Sequence, residues 1–229
     1  MSIKKIRLWD LPTRIFHWSL FLLVMAAIVT VKIGGNAMVW HGRIGVAIVG
    51  LLAFRIVWGL VGSTYARFAN FVRGPGAIRA YLQGRWKGVG HNPLGALSVL
   101  ALLGLLVFQV STGLFANDDI SFNGPLYPLV GKDTSDWLSG LHNQAEWFIY
   151  GLISLHVAAI VYYVRVKKDN IVKPMITGEK QVREHSVESA RGGGIIALVV
   201  ALAIAGGAAW AASGGIVPPP PPPVETPAW

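Results

Sequence analysis

Of the 229 residues, 53% are hydrophobic and only 14% charged, against about 25% charged in soluble domains, so a polytopic membrane protein is indicated and a water-soluble globular fold excluded. The chain has no cysteine, which removes disulfides, thiolate metal sites, iron–sulfur clusters and covalently attached c-type haem together. The formal net charge of +9 would suit nucleic acid, but its distribution along the chain reads as a topology signal, so nucleic acid is not an expected partner.

The first apolar stretch, 14–33, follows Trp9-Asp10-Leu11-Pro12, with Pro12 suited to the first turn of a helix. It is longer than the ~7–15 apolar residues of a signal-peptide core, and no Ala-x-Ala cleavage site follows, so it reads as a retained helix. It carries His17, flanked by Phe16 and Trp18, which could line a cofactor site. The second stretch, 41–61, opens on His41-Gly42-Arg43-Ile44-Gly45 and contains Arg55. The third, 93–114, is entered through His91-Asn92-Pro93, with Asn92 placed to cap it. Residues 117–141 read as an acidic outer loop holding Asp118, Asp119, Asp133 and Asp136. The fourth stretch, 144–165, has His142 at its edge and His156 inside it. A polar linker over 179–193 with a solvated His185 leads to a fifth span, 194–213, rich in Ala and Gly. Pro218–Pro223 form a polyproline rod of roughly 19 Å, a spacer or a docking arm. The expected organisation is a haem-binding four-helix domain over 1–178, a linker over 179–193, a fifth transmembrane helix within 194–217 and an extracytoplasmic tail over 218–229. No internal repeat is apparent.

Lys4, Lys5, Arg7 and Arg14 precede the first span or open it. Arg67, Arg73, Arg79, Arg85 and Lys87 lie between spans two and three. Arg165, Lys167, Lys168, Lys173, Lys180, Arg183 and Arg191 follow span four. Only Lys32, Arg43 and Lys132 fall on the opposite side, and Arg55 lies within a span. Positive-inside topology then puts the N-terminus in the cytoplasm and the C-terminus outside, with the basic loops against lipid headgroups.

That topology sorts the histidines by depth. An ionisable ring within a span is costly without a partner. His142 and His156 are 14 residues apart, close to four helical turns, so they share one face of one helix about 21 Å apart along its axis. His17 lies at the inner end of span one, level with His156; His41 lies at the outer end of span two, level with His142. Two imidazoles on opposite sides of a planar ring leave haem iron no open position, which suits electron transfer better than oxygen chemistry. With no cysteine, the expected cofactors are two non-covalent b haems, their iron held by His17 with His156 and by His41 with His142. Arg43 on the outer side, and Arg14 or Arg55 on the inner side, are candidates to neutralise haem propionates, their alternative being headgroup contact. His91 is expected at the interface, with a propionate or quinone contact as its alternative.

The segment Trp9-Asp10-Leu11-Pro12-Thr13-Arg14-Ile15-Phe16-His17-Trp18 resembles the opening of the bacterial cytochrome b561 family. The likeness continues through His41-Gly42-Arg43, His91-Asn92-Pro93-Leu94-Gly95 and Gln109-Val110-Ser111-Thr112-Gly113-Leu114-Phe115 to His142 and His156, over roughly residues 5–178. That family includes the b-type subunits of nickel–iron hydrogenases and the cytochromes b that partner di-haem cytochromes c. The resemblance implies an all-α, four-helix transmembrane bundle holding two b haems. By position, His17 and His156 would hold the inner haem and His41 and His142 the outer one. It also implies electron exchange between membrane quinone and a redox protein, such as a c-type cytochrome or an oxidoreductase complex, in the bacterial inner membrane. The chain is then an electron-transfer subunit, with quinone oxidoreductase activity open. Its alternatives are an accessory subunit anchoring a larger complex, and a metal or proton transporter that uses the same histidines.

Overall fold

Five long apolar helices dominate the computed structural model, which describes residues 4–182 and 187–219. Helix α1 (Leu11–Ile33) starts where the Asp10 carboxylate accepts the Thr13 amide at 2.6 Å and Pro12 fixes the first turn. It stops at Gly34, whose φ of 68° a side chain resists. Helix α2 (Ala37–Val61) returns antiparallel after this short turn. Two short helices, α3 (Phe68–Phe71) and α4 (Pro75–Leu82), lead to α5 (Pro93–Gly113), capped by Asn92, which accepts the Gly95 amide at 2.8 Å. Then come α6 (Lys132–Arg165), α7 (Val172–Thr177) and α8 (Ile195–Trp210), which ends in a wider π-type turn over Ala211–Gly215.

Strands β1 (Lys4–Arg7) and β2 (Glu179–Val182) pair antiparallel, Lys4 opposite Val182. This ribbon lies with α3, α4 and α7 at one end of the bundle, the one that the basic residues lead us to expect inside, termed inner; the α1–α2 turn and residues 114–131 form the opposite end, termed outer. Part of the expected polar linker is therefore a strand, and its following residues are strapped on too: Thr64 N donates to Arg191 O at 2.8 Å and Ala190 N to Arg7 O at 2.7 Å.

A second difference concerns span four. Its helix begins at Lys132, not near 144, so the expected loop over 117–141 is helical over its last ten residues. Those turns are polar, with Asp133 in the first turn complementing the helix dipole, and an apolar stretch does not reveal them. The remaining outer connection is held down by Asn117, which bonds Ser135 at 2.6 Å and Asp136 at 2.8 Å.

The fifth helix packs on α2 of this same chain. A Cβ at Gly50 would lie 3.3 Å from Ala209 Cβ and 3.4 Å from Ala205 O, so a small residue on each side sets a close approach. The core forms two layers. The inner one holds Phe16, Phe54, Trp58, Ala66 and Ala201; the middle one holds Val24, Ile48, Leu52, Leu106 and Ile149. Large apolar side chains such as Leu22, Trp147, Phe148 and Val199 point outward, as a lipid-facing surface requires. His185 and Pro220–Pro223 lie outside the described residues.

Candidate haem sites between facing histidines

The helices bring the four expected histidines together as two pairs. His17 on α1 faces His156 on α6 with ring centres 6.5 Å apart. His41 on α2 faces His142 on α6 at 6.1 Å. A metal held between two imidazoles at roughly 2 Å from each nitrogen sets the ring centres about 6 Å apart, so both gaps admit one metal ion and not a further atom layer.

The outer pair is oriented by backbone. His41 Nδ1 lies 3.0 Å from Ala27 O, and His142 Nδ1 lies 2.9 Å from Gln109 O. With Nδ1–H donated to a carbonyl, Nε2 becomes the acceptor nitrogen, as is common for metal-bound histidine; His41 Nε2 is free, and His142 Nε2 lies 3.2 Å from Gln109 Nε2, a contact that a metal there would displace. Gln109 adds a bond from its amide nitrogen to His142 O at 3.1 Å. Around the two rings opens a cavity of about 550 Å³, lined among others by His41, Gly42, Gly113, Phe122 and His142. That volume is in the range of sites for large organic ligands. Gly113 is required there: a Cβ would lie 2.7 Å from His142 Cε1.

The inner pair has a different surround. His17 Nδ1 is buried without a hydrogen-bond partner. Trp18 packs edge-on against His17 at 5.1 Å and donates its indole N–H to Met175 O at 3.2 Å. Phe16 points the other way, into the inner core layer, and so belongs with α2 and α8. Arg55 is 3% exposed, stacked over Phe68 at 4.7 Å, with Nη1 unpartnered. Arg14 donates Nη1 to Thr177 O at 3.3 Å and leaves its buried Nε unpartnered. His91 lies between Trp9 at 4.7 Å and Phe71 at 4.4 Å, its Nδ1 also buried and unpartnered. Burial, with the positive charge of Arg55 second, pushes His91 down to about 3, so it is neutral near pH 7. The structure thus places His91 half-buried in an aromatic sandwich, with Nδ1 turned inward. On the outer side, Arg43 is exposed and stacks over Trp40 at 5.0 Å.

Sequence reasoning missed the junction that sets α1 against α2. Asp10 also accepts the indole N–H of Trp58 at 3.1 Å and the hydroxyl of Ser63. Its only signal in the sequence was its place before Leu11-Pro12. The reading also missed Ala27 as the anchor of His41, because a backbone acceptor on a neighbouring helix has no residue signature.

The prokaryotic cytochrome b561 family model matches residues 8–178. The chain belongs to that family. It is a multi-pass bacterial membrane cytochrome b of electron transport, with haem b as its cofactor class. A probable Ni/Fe-hydrogenase B-type cytochrome subunit of Cupriavidus necator is 24% identical over 226 residues, covering 80% of this chain and 90% of the relative. The probable Ni/Fe-hydrogenase 1 B-type cytochrome subunit of Escherichia coli is 21% identical over 210 residues, covering 74% and 88%. No solved structure matches the chain.

The residues present fit the group that this family implies. Two opposed imidazole pairs at matched separation, a large cavity at one of them and a glycine where a side chain would displace a ring make a cradle for a flat macrocycle. Haem iron supplies one-electron exchange when bound. His17, His156, His41 and His142 would supply the nitrogens that hold it, and the surrounding residues would orient those rings and exclude water.

Proposed function

We propose that the protein carries electrons across the membrane between a membrane quinone and a redox protein, through two bis-histidine b haems. His17 and His156 hold the inner one; His41 and His142 hold the outer one. The observation that carries this reading is the pairing itself: two imidazole pairs, at 6.5 and 6.1 Å, whose α6 members share one helix face. Two nitrogen ligands per iron favour electron transfer over ligand chemistry. Arg55, buried with an unpartnered nitrogen, is the strongest candidate to meet an inner propionate, with Arg14 and His91, each also carrying a buried unpartnered nitrogen, as further candidates. Arg43, stacked on exposed Trp40, serves the outer interface.

The sorted basic residues support a cytoplasmic N-terminus and an extracytoplasmic C-terminus. The named relatives are hydrogenase B-type cytochrome subunits, which supports an oxidoreductase complex as the protein partner. Pyridine haemochrome analysis of the purified protein tests the assignment. Wild type is expected to carry two haems per chain and His17→Ala one. Two haems retained in His17→Ala, or no Soret band in wild type, overturns it.

A further inference from the structure

Glu146 is the one acidic residue in the five apolar stretches 14–33, 41–61, 93–114, 144–165 and 194–213. It lies on α6 one turn below His142 and lines the outer cavity together with Tyr150. Lys32, in the last turn of α1, could extend to the interface as a terminal lysine usually does. It turns to Glu146 instead, with Nζ 2.6 Å from Oε1. The Tyr150 hydroxyl donates to the same carboxylate, and the Lys32 ammonium lies 5.7 Å from the Tyr150 ring centre. An ion pair within a span is expensive and marks a pathway for protons, ions or substrate more often than a brace. Lipid-facing apolar contacts would hold α1 to α6 without burying charge.

The cluster has two faces. Glu146 and Tyr150 meet the cavity between His41 and His142. Lys32 is 60% exposed where α1 meets α6 through the ion pair, and Trp147, next to Glu146 in the chain and edge-on to Tyr150 at 5.9 Å, is 72% exposed. A ligand reaching this seam arrives through hydrocarbon. It meets two hydrogen-bond donors and a carboxylate able to hold a proton, at the edge of an electron-transfer site. A lipid-soluble ring that takes a proton with each electron has that chemistry.

We propose that Lys32, Glu146 and Tyr150 form the quinone-binding and proton-exchange site of the outer half, an inference that rests on the function proposed above. Quinone and quinol differ by two electrons and two protons. A haem b held by His41 and His142 would supply the one-electron exchange. Each proton passes between a ring oxygen and the Glu146 carboxylate, held by Lys32 and Tyr150, and between Glu146 and water past Lys32. When Glu146 carries a proton, the Tyr150 hydroxyl no longer needs to donate to it and turns to one ring oxygen, while Lys32 donates a further N–H to the other; Glu146 is the proton carrier.

The test uses the purified holoprotein and two readouts. The first is stopped-flow reduction by decylubiquinol, followed in the haem α-band. The second is binding of the fluorescent quinol analogue 2-heptyl-4-hydroxyquinoline N-oxide, read as fluorescence quenching, which needs no turnover. Loss of a positioned acid–base group costs typically 10²–10⁴-fold. Glu146→Gln is expected to slow quinol-dependent reduction at least about a hundred-fold. Tyr150→Phe, which keeps the ring against Trp147, is expected to weaken analogue binding about ten-fold, the size of one lost hydrogen bond. Reduction by dithionite stays at the wild-type rate in both. Wild-type quinol rates and analogue affinity in both variants overturn the site while leaving the electron-transfer reading intact. Loss of the outer haem in Glu146→Gln with unchanged analogue binding in Tyr150→Phe also overturns it, assigning the cluster to haem retention. A wild-type protein that decylubiquinol does not reduce overturns the quinone reading itself.

Discussion

Gly113→Ala is the sharpest probe of the outer site, because a single methyl group must collide with one ring. The added Cβ would lie 2.7 Å from His142 Cε1 and 2.9 Å from Nδ1, where ordinary contact begins at 3.4 Å. The ring must retreat by roughly 0.7 Å or rotate off its rotamer. It has little freedom to do so, since Nδ1 is held at 2.9 Å to Gln109 O and the His142 carbonyl is held by the Gln109 amide. Overpacking of this kind costs about 1–3 kcal/mol, of which the strained hydrogen bond accounts for about 1 kcal/mol. At 1.4 kcal/mol per decade that is about 5- to 150-fold weaker haem retention at the outer pair. The assay is haem transfer to excess apomyoglobin, with the haem-to-protein ratio read by pyridine haemochrome. Gly113→Ala is expected to give up one haem quickly and keep the other at the wild-type rate. Gly104→Ala on the same helix, where a Cβ meets nothing within 4 Å, is the matched control. Equal retention of both haems in Gly113→Ala, with an unaltered low-spin spectrum, would refute the placement of His142 as an outer ligand.

Three further predictions follow from other parts of the molecule. Asp10→Asn keeps an acceptor for the Thr13 amide but turns an amino group toward the Trp58 and Ser63 donors, so thermal unfolding in detergent is expected to fall by about 1–3 kcal/mol; an unchanged melting temperature would remove Asp10 as the α1–α2 junction. The Asp118 carboxylate accepts the amides of Phe122, Ile120 and Ser121, which holds it below the usual carboxylate range; its contribution is therefore present above its unfolded value near 3.8 and lost as the pH falls through the lowered one. Exchange protection of those amides, corrected for intrinsic rates, should fade below about pH 4 in wild type and lose that step in Asp118→Asn. One alanine inserted into α6 between Ile149 and Tyr150 turns His142 and His156 about 100° apart and should leave one haem per chain; two would show that the shared face is not what holds them.

How much of this was legible in the sequence depends on whether the information is local. The histidine pairs were, because helical periodicity fixes which residues of α6 share a face and the basic residues fix which helix ends lie together. Both rings of each pair then had to meet, and they do. The start of α6 was not legible, since Lys132–Gly140 are polar turns whose helicity comes from tertiary anchoring at Asn117 and Ser135 and from continuity with the apolar turns beyond. Nor were partners that depend on which residues of two helices come level: Lys32 with Glu146, Asp10 with Trp58, and Gly50 with Ala205 and Ala209. The small residues of the fifth helix announced close packing, but only the structure says that the surface they meet is α2 of the same chain.

The middle core layer explains why a 14-residue spacing on α6 suits this protein. Ile149 is seven residues from His142 and seven from His156; Val24 is seven from His17, and Ile48 is seven from His41. Seven residues advance about 10.5 Å and fall only about 20° short of two full turns, so each layer residue lies under or over a histidine and faces the same interior. The three meet Leu52 and Leu106 in one buried apolar plate midway between the two imidazole levels. A seven-residue repeat on packed helices is the geometry of a left-handed bundle, in which the small angular drift is absorbed by supercoiling. The same repeat therefore does two things at once. It keeps α1, α2 and α6 in register as a bundle, and it places a buried apolar layer between the two imidazole levels, so that charge arriving at one level has no polar path to the other. Electrons can cross such a layer by tunnelling, and protons cannot follow. A protein built this way needs its proton-exchanging groups on one side of the plate, beside the site that feeds it, and Glu146 lies between Ile149 and His142, on the outer side.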